Sequence, residues 1–143
     1  MRSTLTAAVL FVACFKLTAS AEGSECATFT QTVPLCIVLS DAANYDGKEI
    51  TVKGLYRVVI HGSVLMEPAC SKALVNMREA PDYRADKQVQ DVIRSLTKKD
   101  QFLSVDVVLR GTFRVAHEGQ CFGEMCEPYE IQVEELLCAE KSK

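Results

Sequence analysis

A mainly β domain with two helices, its strands curled into a small five-stranded barrel and stapled by disulfides, is what this sequence predicts. Three observations predict it. Six cysteines stand downstream of an apolar leader. Two long runs of alternating apolar and polar residues, 49–60 and 102–115, are each interrupted by one glycine. A shorter alternating run closes the chain, and two stretches with helical spacing lie before and between the long runs.

The leader carries no part of the fold. Arg2 supplies a positive start, Leu5 to Ala13 is apolar and uncharged, and Ala19-Ser20-Ala21 places small residues where a signal peptidase needs them. Residues 1–21 are therefore expected to be a signal peptide, with 22–143 as the exported domain, periplasmic or secreted. The apolar run is shorter than the roughly 20 residues a membrane span requires, and no second one follows. Val12-Ala13-Cys14 also resembles the end of a lipoprotein signal, in which Cys14 would carry a lipid anchor to the envelope. Cleavage after Ala21 removes Arg2 and Lys16 but no acid, so the formal charge of −3 becomes more negative.

Export also bears on sulfur. Cys26, Cys36, Cys70, Cys121, Cys126 and Cys138 are an even set in an oxidising setting, which reads as three disulfides. Many pairings are formally open. The expected one joins the two ends through Cys26 and Cys138, closes a local loop with Cys121 and Cys126, and leaves Cys36 with Cys70.

Residues 22–31 are polar and expected to be loose apart from Cys26. Thr32 is placed to cap a helix and Pro34 suits its first turn. Leu35, Val38, Leu39 and Ala42 then form one apolar stripe. Asn44-Tyr45-Asp46-Gly47 ends it, the Asp-Gly pair marking a turn. A strand from Glu49 to Ile60 follows, with Gly54 suggesting a bulge or tight bend. His61-Gly62 makes a turn, Ser63 to Met66 a short strand stopped by Pro68, and Ala73 to Met77 a third. Residues 78–85 read as a polar loop around Pro81. Val89, Val92, Ile93 and Leu96 give a second helix over Asp86 to Leu96, with Lys98 and Lys99 near its end, where positive charge is favoured. Phe102 to Val115 is a strand interrupted by Gly111. Ala116 to Pro128 is a loop, and Tyr129 to Leu137 is the last strand. The segments Val52-Lys53-Gly54-Leu55-Tyr56-Arg57-Val58 and Leu109-Arg110-Gly111-Thr112-Phe113-Arg114-Val115 match in type. That match reads as two bent strands with the same local needs rather than a repeat.

Five strands with a helix between the third and fourth is the order of an OB-like barrel, here with an added N-terminal helix. Gly54 would supply the curvature such a barrel demands of its first strand. Asn44-Tyr45-Asp46-Gly47-Lys48-Glu49-Ile50-Thr51-Val52-Lys53-Gly54 resembles the opening of OB-fold-like domains in exported bacterial proteins. In those, a helix leads through Tyr-Asp-Gly-Lys into a Val-x-Val-x-Gly strand. The likeness covers mainly residues 33–70, with a looser echo at 102–115 and 129–137. It implies a fold and brings no catalytic residues with it.

Candidate chemistry is sparse. Cys121 and Cys126 have four residues between them, where thioredoxin-type motifs have two, so a structural disulfide is expected. A zinc site would need about four N or S ligands. His61 and His117 are the histidines of the chain, and oxidised cysteines cannot act as thiolate ligands. Ser63 lies near His61 but lacks the strained elbow of a nucleophile site. Arg57 and Arg114, near Tyr56 and Phe113, are expected on the outer face of neighbouring strands as a small anion patch. An acidic chain disfavours nucleic acid, and the arginines are more readily paired with Asp106, Glu130 or Glu134. The reading is a non-enzymatic binding or envelope-associated module without a cofactor. Its face would run over Gly62 to Met66 and Ala73 to Met77, with Tyr56, Arg57, Met66 and Arg114 as contact residues for an oligosaccharide or peptide. The alternative is a metal-binding protein or metal-dependent enzyme using His61 or His117. A purely structural role within an envelope assembly is a third reading.

Overall fold

The computed structural model describes residues 25–69, 73–99 and 104–142. The expected signal peptide with Cys14, and Cys70, lie outside the described residues.

A 3-10 turn at Glu25–Thr28 opens the described chain and is followed by β1 (Val33–Pro34), α1 (Leu35–Ser40) and α2 (Ala42–Tyr45). Then come β2 (Glu49–Val59), β3 (Gly62–Met66), β4 (Val75–Ala85), α3 (Lys87–Lys99), β5 (Val105–Val115) and β6 (Tyr129–Lys141). All six strands belong to one mainly β sheet in the order β1-β2-β3-β4-β6-β5, and β2 also pairs with β5. The ladder that starts at β2 therefore returns to it. β2 achieves this by dividing its length: residues 49–56 pair with β5 and residues 55–59 pair with β3. The β4–β6 pairing is parallel, as is the short β1–β2 pairing.

Period-two patterning decides which side of each strand is buried. Ile50 and Val52 on β2, Leu65 on β3, Val75 on β4, Val105, Val107, Leu109 and Phe113 on β5, and Ile131 and Val133 on β6 form one core. Leu35 and Val38 of α1 are buried in it, and Leu39 and Ala42 pack on its edge. Val89, Ile93 and Leu96 bring α3 onto the same core. Phe113 stacks on Tyr129 with ring centroids 5.7 Å apart. A second, smaller cluster forms on the other side of β5, where Cys26, Val108 and Cys138 are buried together.

Two disulfides follow the expected pairing. Cys26–Cys138 bridges a sequence separation of 112 with a Cα–Cα distance of 5.5 Å, and Cys121–Cys126 bridges a separation of 5 at 4.7 Å. Cys36 is also disulfide-bonded.

The interrupting glycines are explained by close approach as much as by curvature. A Cβ at Gly111 would collide with the Gln132 main chain, and the β5–β6 register slips between Arg110 and Gly111. A Cβ at Gly54 would stand 2.9 Å from Cγ of Leu65, where β2 begins to pair with β3. Both residues make room for a neighbouring strand.

Four expectations need correction. The helix expected from Thr32 begins at Leu35 with Pro34 in the cap position and no side-chain cap, because residues 33–34 pair with Val52 and Lys53 instead. It is also broken at Asp41 into two short helices. The stretch from Glu25 is not loose: it forms a 3-10 turn whose Cys26 is 2% exposed. The supposed loop 78–85 is the second half of β4. Its partnership with β6 jumps from Glu79↔Val133 to Arg84↔Glu135, so residues 80–83 bulge opposite Glu134 alone. Pro81 has no N–H to donate, and the bulge is where a strand tolerates it. Lastly, β6 runs to Lys141 rather than Leu137, because β5 pairs with it through Val105↔Lys141.

Candidate functional site

The β4 bulge and α3 enclose a cavity of about 550 Å³ with the β2–β3 pair and β6. This volume lies within the range of small-molecule sites, roughly 300–1,000 Å³. Its floor is apolar: Met77, Val133 and Leu136, with Ile93 from α3. Its polar groups come from each element in turn. β2 contributes Tyr56 and β3 contributes Ser63. β4 contributes Arg78, Glu79 and Tyr83, and α3 contributes Gln90, Arg94 and Thr97.

Helical spacing explains the α3 set. Gln90, Ile93, Arg94 and Thr97 are separated by three or four residues and so share one face. Asp86 precedes the helix, and its carboxylate accepts from the Gln88 N–H at 2.6 Å, satisfying a donor the helix start leaves open. The Thr97 hydroxyl donates back to the Ile93 carbonyl at 2.8 Å. Strand alternation puts Met77 and Glu79 on one side of β4 and Asn76 and Arg78 on the other, and Arg78 both lines the cavity and meets a second charge group.

Asn76 and Arg78 meet this group at Glu130. Glu130 is 2% exposed. Arg78 approaches its carboxylate at 3.1 Å and Arg114 at 3.7 Å, and the Asn76 amide donates to it at 3.0 Å. Arg114 also lies 5.6 Å from the Phe122 ring centroid, so the 116–128 loop is folded over this charge group.

Both cavity tyrosines stay protonated well into alkaline conditions. Burial pushes the Tyr56 phenol up, a hydrogen bond with Ser63 pulls it partly back, and the Glu79 charge pushes it up again. Burial raises Tyr83 as well, followed by the Glu79 charge and by Tyr56. The two rings and the carboxylate thus sense one another across the cavity.

Of the residues singled out from sequence, Tyr56 lines this cavity, and Met66 and the arginines do not. Met66 pairs with Leu55 at the far end of β3. Arg57 and Arg114 are not neighbours: Arg57 lies beside the start of β5 and donates to the Ser104 hydroxyl at 3.0 Å, whereas Arg114 sits near the other end of β5, opposite Glu130. They form no shared anion patch. Phe113 is a core residue with 0% exposure. Ser63 and Met77 fall within the expected face. Glu79 and Tyr83 were missed because the sequence there read as a loop, and Gln90, Arg94 and Thr97 because a helix read from its apolar stripe does not show what its polar face meets. The signal present was the Met77/Glu79 alternation continuing past Met77 and a tyrosine just before the helix.

Among the described residues no three His, Cys, Asp or Glu side chains are grouped to hold a metal. His61 Nδ1 lies 2.8 Å from Glu124 Oε2, linking the β2–β3 hairpin to the 121–126 loop, and the His117 carbonyl accepts from Gln120 N–H in a turn. No described helix is long and apolar enough to cross a membrane. No protein-family model matches the chain, and no curated protein is significantly similar to it.

Proposed function

We propose that this chain is an exported, non-enzymatic binding module on an OB-like barrel, and that the cavity beneath α3 receives one unit of an oligosaccharide or peptide. The observation that carries the reading is the cavity itself: an apolar floor, two tyrosines, and convergent hydroxyl, amide and charged groups at one end of a ladder that closes on β2. The barrel assignment is supported by that closure and by the parallel pairing of β4 with β6. Flat aromatic rings bury large area at small entropic loss, and the polar rim can orient what stacks on them.

Two measurements test this reading. The chain has four tyrosines and no tryptophan. Two of those tyrosines, Tyr56 and Tyr83, line the cavity, so its occupancy can be followed by tyrosine fluorescence. Screening of glycan and peptide arrays is expected to find ligands that change this fluorescence and lose about tenfold or more in affinity in Tyr83→Leu. Met66→Ala, outside the cavity, is expected to leave them unaffected. Equal loss in both variants places binding elsewhere. Export is supported by two disulfides, which persist in oxidising compartments. Mass spectrometry of the native protein is expected to show a chain beginning at Glu22; a lipid-modified Cys14 would replace the soluble form with an anchored one.

A further inference from the structure

We infer that the cavity beneath α3 recognises an alkylammonium group, as carried by a lysine side chain of a peptide. This rests on the binding reading above and narrows its ligand.

The argument begins with charge. Three charged side chains line the cavity: Arg78, Glu79 and Arg94. Arg78 pairs with the buried Glu130, 3.1 Å away. Arg94 leans along α3 toward Asp91 at 3.5 Å. Among the described residues no cation lies within ion-pair distance of Glu79. Each arginine thus has an acid beside it, whereas the exposed Glu79 carboxylate at the cavity has no such counter-charge among the described residues.

The walls fit the same ligand. Tyr56 and Tyr83 flank the space, and the faces of aromatic rings attract a cation held against them. Met77, Ile93, Val133 and Leu136 supply apolar surface for a methylene stem. Long ammonium side chains place their stems against such surface and keep the head group at a polar partner. Glu79 and the Tyr56, Tyr83 and Ser63 hydroxyls are acceptors for the three donors of a primary ammonium. Beyond the effect of burial, the Glu79 charge raises the pKa of both phenols, in keeping with its place beside them in the cavity lining.

The test uses the oxidised, mature protein and follows the Tyr56 and Tyr83 ring signals by NMR. The probes are N-acetyl-lysine methylamide, its neutral isostere N-acetyl-norleucine methylamide, the free diamine cadaverine, and a neutral disaccharide. The expected result is saturable binding of the lysine derivative, with the isostere at least about tenfold weaker. Glu79→Gln, which keeps the side chain's shape, is expected to remove that tenfold preference. Glu124→Gln, on the far loop, is expected to retain it, and added salt is expected to weaken the lysine derivative more than the isostere. Binding of cadaverine alongside the lysine derivative supports the ammonium chemistry, whereas binding of cadaverine alone overturns the peptide source. If the disaccharide or the norleucine derivative binds as well as the lysine derivative, or if Glu79→Gln changes nothing, the ammonium inference is overturned while the binding reading stands. If no probe moves either tyrosine, both are overturned. A thermal melt of Glu79→Gln matching the parent shows that its loss of binding is not loss of fold.

Discussion

Replacing Cys26 and Cys138 together with alanine lowers stability by about 5 kcal/mol on the chain-entropy account, and by about 2 kcal/mol at the low end of measured cases. The bridge closes a separation of 112 residues, nearly the whole described chain. Opening it returns to the unfolded ensemble most of the freedom that a closed loop of this size denies it. The Cys121–Cys126 bridge spans only 5 residues on the exposed loop, and the same account assigns its removal about 2 kcal/mol. Urea unfolding of the two double variants beside the parent measures the difference. Equal losses would show that the long bridge acts through local packing against Val108 and not through chain closure. Because Cys26 and Cys138 are buried with Val108, away from the α3 cavity, ligand affinity is expected to survive at temperatures where the variant remains folded.

Phe113→Ala is expected to cost about 3–5 kcal/mol, the usual range for deleting a buried aromatic. Phe113 has 0% exposure, stacks on Tyr129 and lies at the centre of the main core. Its main chain is also tied to the turn before β2: Phe113 N–H donates to the Lys48 carbonyl at 3.0 Å, and Gly47 N–H donates to the Phe113 carbonyl at 2.9 Å. Those bonds hold the backbone in place, so the site cannot collapse freely around the missing ring, and a cavity remains. Ile60→Ser is the contrasting change. Ile60 is 92% exposed at the tip of the β2–β3 hairpin, and surface substitutions of this kind shift stability by about 0.5 kcal/mol or less. Thermal unfolding of the three proteins checks both figures. A Phe113→Ala variant within about 1 kcal/mol of the parent would mean that this core repacks, contrary to its tied backbone.

The elements read most accurately were those whose signal is local. The alternation of Ile50 and Val52, and of Val105, Val107, Leu109 and Phe113, named the strands and their buried sides. The Val89, Ile93 and Leu96 stripe named the face of α3 that packs on the core. Where an expectation failed, the deciding contact was distant in sequence. Thr32 resembles a helix cap, but its neighbours are claimed by Val52 and Lys53 of β2. Pro81 resembles the centre of a loop, but β6 keeps pairing on both sides of it. Arg57 and Arg114 occupy matching positions in two similar segments, yet β2 and β5 run antiparallel, and that reversal carries like positions to opposite ends.

The candidate site shows the same division at the level of single side chains. Tyr56 was legible because it stands on a clear strand beside the expected face. Tyr83 was not, because a strand that bulges across residues 80–83 has no periodicity to read, and Glu79, the last residue before that bulge, was read with it as loop. The α3 residues were on a recognised helix, but helical spacing does not say which neighbour a polar face will meet.

By itself the sequence determined the mainly β composition of the domain, the strands with clear alternation, the buried face of α3 and the presence of an even cysteine set for disulfides. Local patterning and composition suffice for these, whereas the pairing of Cys26 with Cys138, 112 residues away, is a tertiary fact. Tertiary structure alone decided that β2 pairs on two sides, that β4 continues through Pro81, and that Tyr56, Ser63, Glu79, Tyr83 and Arg94 surround one cavity. The physical reason is register: which residues face each other across a ladder is set by the packing of the whole core, and no short stretch of chain contains that information.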